Sequence, residues 1–107
     1  MEPSGGLVIS EEVLAEIAVT AARDAPGVST LVRQPGEWMR RPEKTLRFVK
    51  ISGSETELVV ELWLRLKPGA KITAVAADVQ RGVKDALHTM TGFTVARVNL
   101  RIIGIDF

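Results

Sequence analysis

The side chains that could do chemistry are few, and the first is His88, the one histidine of the chain. Asp85 precedes it by three residues, so on a helix an imidazole and a carboxylate would be neighbours, half of an acid–base relay. The other half, a nucleophile placed against them, has no candidate in the spacing. A helical metal site would use two histidines one turn apart; a lone one reads as a helix-end or surface residue. Glu57 and Glu61 fall two alternations apart on one strand face, but nothing around them points to the burial that turns a carboxylate into a general acid. Ser52, Ser54 and Thr56 sit in a turn, where hydroxyls bond the local backbone. Gly5 and Gly6 precede a strand, and Lys67-Pro68-Gly69 has a single glycine ahead of a helix that starts near Lys71, so no phosphate loop is present. With no cysteine there is no disulfide, thiolate nucleophile or Cys-ligated metal. The expectation is that the chain is not an enzyme and has no catalytic residues, no cofactor and no metal.

Binding is the other kind of chemistry. The segment 33–50 carries six bases, Arg33, Arg40, Arg41, Lys44, Arg47 and Lys50, against Glu37 and Glu43, a balance of +4. Residues 1–32 carry five acids against Arg23 alone, a balance of −4. Such an asymmetry suits orienting a partner, and ordinary solvated surface is its plainer meaning. Trp38 and Met39 stand beside Arg40 and Arg41, the composition of a contact hot spot; the other reading is that Trp38 folds back to cap one end of the core. Basic groups around an aromatic also suit RNA, by phosphate contact and base stacking. Against nucleic acid, the net charge is only +1 and neither a GXXG loop nor an aromatic strand pair is visible.

The elements that position these residues follow from periodicity. The chain's 107 residues allow one core, so 1–107 is read as a single domain with a flexible start at 1–6 and an internal loop at 33–43. Aromatic residues are only 5%, which leaves Val, Leu, Ile and Ala to build the core. A short strand is expected at 7–9. Ser10 then caps a helix whose first turn holds Glu11 and Glu12, with Leu14, Ile17, Ala18, Ala21 and Ala25 as its apolar stripe and Val13 at the border. Pro26 and Gly27 end it near Ala25. Strands are expected at 28–32 and 45–51, the latter with a phase break between Phe48 and Val49 where either a bulge shifts the phase or both faces are partly covered.

The clearest strand is 57–66. Leu58, Val60, Leu62, Leu64 and Leu66 line one face; Val59, Glu61, Trp63 and Arg65 line the other. Val59 and Trp63 make that second face more apolar than a solvated face requires, and self-association through it is the expectation. After Pro68 and Gly69, Ile72, Val75, Ala76, Val79, Val83, Ala86, Leu87 and Met90 keep helical spacing until Gly92, and 93–107 is a last strand region interrupted at Gly104. The order strand, helix, strands, helix, strand gives an α+β fold: a two-layer sandwich, its mixed but mainly antiparallel sheet of 4–5 strands covered on one face by two helices, in the order β-α-β-β-β-α-β. The connection has a ferredoxin-like character.

Gly6-Leu7-Val8-Ile9-Ser10, Glu12-Val13, Ile17-Ala18, Ala21-Ala22 and Gly27-Val28, followed by Gly69, Ile72, Val75, Val79-Gln80, Val83, Met90-Thr91-Gly92-Phe93, Val95, Val98-Asn99, Ile102 and Gly104, resemble the alkaline shock protein family of small bacterial proteins over nearly the whole chain. The resemblance implies a cytoplasmic protein of envelope or alkaline stress, able to self-assemble and held beside the membrane by a separate anchor protein, with no catalytic residues. The start of the chain lacks a secretory pattern and no stretch is long and apolar enough to span a membrane, so direct insertion is not expected. The expected function is a non-enzymatic interaction or scaffold protein that forms homo-oligomers or docks a protein partner. The alternative is an RNA-binding accessory protein using 33–50. Trp38, Met39, Arg40, Arg41, Val59 and Trp63 are the interaction candidates.

Overall fold

The computed structural model describes residues 9–35 and 45–106. Helix α1 is Glu11–Arg23. Ser10 starts it as expected: its Oγ accepts the amide of Val13 at 3.3 Å, with Glu11 and Glu12 at the positive end of the helix dipole. Asp24 is the C-cap, one turn-residue earlier than Pro26 alone implied. Leu14, Ala15, Ala18, Val19 and Ala22 are buried, Ile17 and Ala21 are partly covered, and Val13 is exposed. The buried stripe is therefore turned by about one residue from the expected one, because neighbours on two sides, α2 and the sheet, share the small residues.

Strand β1 is Val28–Leu31, followed after the loop by a 3₁₀ turn at Thr45–Arg47 and strand β2 at Val49–Gly53. The expected strand 45–51 is thus corrected at its start. The tight turn, closed by the Phe48 amide on the Thr45 carbonyl at 3.1 Å, is what broke the alternation between Phe48 and Val49. Strand β3 is Leu58–Leu66, helix α2 is Ile72–Thr91, and strand β4 is Val95–Ile105. Lys71 is the N-cap of α2 and lies just outside its first turn; Gly92 closes the helix in the left-handed conformation. Val75, Val79, Val83 and Leu87 form the buried seam, while Ile72 and Met90, expected on the same stripe, overhang at its ends and are exposed. Of the strand expected at 7–9, Ile9 is irregular and packs on the core; 7 and 8 lie outside the described residues.

β3 is the centre of the sheet. β1 and β2 run antiparallel to it along the same edge, end to end: Val28 to Leu31 stand beside Leu66 to Leu64, and Val49 to Gly53 beside Leu62 to Leu58. β4 lies parallel on the other edge, reached through α2. The result is a mixed four-stranded sheet among the described residues, with both helices on one face. Leu58, Val60, Leu62, Leu64 and Leu66 are all buried against the helices in one core. Gly27 brings the chain back from α1 into β1 at φ +91°, where a Cβ would lie 2.5 Å from Val75 Cγ2, so α2 packs on a position only glycine leaves open.

Candidate interaction face

The helix-free face of the sheet carries Val59, Glu61, Trp63 and Arg65 from β3. Trp63 is 8% exposed yet stands outside the helix-side core. It is a large apolar side chain that is covered on this face, and charge frames it along the strand and across it. Arg101, the cross-strand neighbour of Trp63, donates from Nε to Glu61 Oε2 at 2.8 Å. Arg65 donates from Nε to Asp106 Oδ1 at 2.5 Å, and Ser29 donates its hydroxyl to the other oxygen of the same carboxylate. The Ser29 bond first, then the Arg65 bond, holds the Asp106 carboxyl below its ordinary value. Val59 is half-buried beside Arg97.

Position along the sheet matters as much as composition. The main-chain carbonyl of Trp63 accepts the amide of Val32 at 2.8 Å, at the point where β1 ends and the chain leaves the edge; it returns at Val49, opposite Leu62. Residues 33–35 and 45–48 are therefore the two limbs of a neck at which a single edge strand is interrupted, and this neck starts beside Trp63. Gln34, 3% exposed, closes that neck: its amide donates to Arg47 O at 2.7 Å, and its side-chain Nε2 donates to Leu46 O at 2.8 Å and Val49 O at 3.1 Å. Trp38, Met39, Arg40 and Arg41 lie outside the described residues, as does most of the expected loop 33–43.

The candidates for catalysis are not brought together. His88 is exposed near the end of α2, its Nδ1 3.4 Å from the Phe93 carbonyl, and Asp85 is exposed on the same helix. Ser54 and Thr56 exchange a hydroxyl contact of 3.4 Å within their turn; Glu57 stays in that turn while Glu61 pairs across the sheet. Arg81 takes Asp78 at 3.9 Å, a surface pair. Among the described residues no three His, Cys, Asp or Glu converge. A groove of about 540 Å³ opens between the start of α1 and the β2–β3 turn, its floor made by Leu14, Ile51, Leu58 and Phe93. Sequence reasoning missed Gln34, Arg101 and Asp106. Asp106 meets Ser29 across 77 positions and Arg65 across 41, a separation with no local signal.

A family model described as of cell envelope-related function matches residues 1–107. The chain belongs to the alkaline shock protein 23 family. The chain is similar to two proteins of Bacillus subtilis (strain 168): "Uncharacterized protein YqhY", 26% identical over 96% of this chain and 78% of its own length, and "Uncharacterized protein YloU", 27% identical over 94% and 88%. Among solved structures, MamM-CTD H285A is similar at TM-score 0.55 and 11% identity, over 91% of this chain and all of that one; MamM-CTD D249H, a copper form, gives 0.55 and 11%. These similarities show the α+β fold of this family member. No helix among its described residues is long and apolar enough to cross a membrane.

Proposed function

We propose that this family member is a non-enzymatic interaction module of the cell envelope, a scaffold that works by self-association and by docking a protein partner. The observation that supports the reading lies on the helix-free face: Trp63 is seated there among charged pairs, and its main-chain carbonyl accepts the amide of Val32 where the chain leaves the sheet edge, ahead of Trp38 and Met39 in sequence. A charge-framed sheet face with a seated indole, followed in sequence by Trp38, Met39, Arg40 and Arg41, has the composition of a contact surface. Residence in the cytoplasm, next to the membrane through an anchoring partner and in service of envelope stress, fits the family's envelope-related description.

In-cell cross-linking of the tagged wild type beside Trp38→Ala/Met39→Ala and Val59→Glu, read by mass spectrometry, tests it. Recovery of the chain itself or of one distinct protein, reduced by either variant, supports the module. Equal recovery from all three removes this surface from the function.

A further inference from the structure

The two sides of β3 are closed differently. β1 and β2 fill one edge, whereas β4 fills the other and itself has no strand beyond it among the described residues. Which groups β4 turns outward follows from the bonds. Trp63 accepts Val32 from the β1 side, so odd-numbered residues of β3 address β1 and β2; the amide of Leu58 goes to Thr94 O at 2.9 Å, so even-numbered ones address β4. Val60 stands opposite Val98, and in a parallel ladder a residue bonds the two neighbours of the one it faces, here Arg97 and Asn99. Val98, Leu100 and Ile102 therefore direct their N–H and C=O groups away from the sheet.

One of these groups is occupied. Gln80 of α2 reaches over and donates from Nε2 to Val98 O at 3.1 Å. Among the described residues no side chain reaches the outward groups of Leu100 and Ile102 in this way. Their side chains are also only half-buried, while Val95 and Val98 further back are buried, so the apolar face of β4 is less covered towards its end.

We propose that this edge pairs antiparallel with the same edge of a second copy about a two-fold axis at Leu100, extending the sheet through both molecules. Outward-facing residues must meet outward-facing residues, which restricts the axis. At Asn99 it would oppose Arg97 to Arg101 of the second copy, and at Arg101 it would oppose that arginine to itself; like charges directly opposite are unfavourable. At Ile102 it would oppose Leu100 to Gly104, but the register shift between Leu64 and Arg65 turns Gly104 inward. At Leu100 every outward residue finds one: Leu100 meets Leu100, and Val98 meets Ile102 in both directions. Arg101 then faces Asn99, and Arg97 faces Ile103, which is 50% exposed in the single chain. The half-buried Leu100 and Ile102 side chains cover each other. Gln80 acts as the guard of this edge, since the Ile102 amide of the second copy takes the Val98 carbonyl that Gln80 holds.

This deepens the scaffold reading and rests on it. The test is sedimentation of the purified chain from micromolar to millimolar concentration, with hydrogen exchange of the Leu100 and Ile102 amides in parallel. The expected result is a doubling of mass accompanied by protection of those two amides. Leu100→Pro removes an outward amide and no ladder bond within the chain; it should weaken the dimer about tenfold or more, the loss of two cross-dyad bonds. Gln80→Ala should tighten it several-fold. A dimer whose Leu100 and Ile102 amides exchange as in the monomer overturns the edge and leaves the scaffold reading standing. A monomer at every concentration overturns the proposal, and cellular cross-linking then decides the wider reading. A folded Leu100→Pro that dimerises like wild type overturns it too; if that variant does not fold, unchanged association of Gln80→Ala does the same.

Discussion

Gln34 and Leu46 are joined by a side-chain to main-chain hydrogen bond of 2.8 Å that spans 12 positions, and the same Nε2 reaches Val49 at 3.1 Å. A buried amide thereby ties the outgoing limb at Gln34 to the returning limb at 46–49, and lets two short strands behave as one edge of the sheet. Gln34→Ala leaves two carbonyls short of a donor in a dry site. A loss of about 1–3 kcal/mol is expected, read as a lower urea midpoint. A change within about 0.5 kcal/mol, the usual range of a surface substitution, would show that water replaces the amide.

The Asp106 carboxylate accepts from Ser29 and Arg65, and both bonds favour the charged form. Its folded pKa lies below the unfolded value of about 3.9, so its contribution is fully present above that value and disappears as pH falls through the folded pKa. Asp106→Asn should therefore lower stability at neutral pH and flatten the stability curve below about pH 4, the ordinary carboxylate range. Parallel curves for wild type and variant between neutral and acid pH would contradict the assignment.

Gly27 has φ +91° and no room for a Cβ beside Val75. Strain and overpacking act together there, so Gly27→Ala should cost about 1–3 kcal/mol. Thermal unfolding is the measure; a Tm equal to that of wild type would mean that α2 shifts freely to make space.

Leu62 is fully buried in the middle of β3, while the Arg101 side chain is 64% exposed in its pair with Glu61. Leu62→Ala is expected to cost about 2–5 kcal/mol and Arg101→Ala at most about 1 kcal/mol. Chemical denaturation of both variants checks the ordering, and a reversal would place the energetic centre on the helix-free face.

Retention on single-stranded RNA tests the basic segment. With a net charge of +1, the chain is expected to pass an RNA column unretained at low salt. Salt-sensitive retention, lost in Arg40→Ala/Arg41→Ala, would restore the RNA-binding reading.

Much of the fold was legible in the chain itself. Ser10 with two following acids, the period-two run from Leu58 to Leu66 and the helical spacing from Val75 to Leu87 each carry a local physical cause, and each element stands where that cause put it. The phase break at Phe48 marked a real irregularity, but a 3₁₀ turn and a bulge leave the same trace in periodicity. Which strand lies in the centre, the parallel pairing of β3 with β4, and the joining of β1 and β2 into one interrupted edge depended on contacts between distant segments. So did the roles of Gln34, Asp106 and Trp63. A hydrogen bond from Ser29 to Asp106, or an indole covered on a helix-free face, arises only when remote segments meet, and no spacing within one element encodes it.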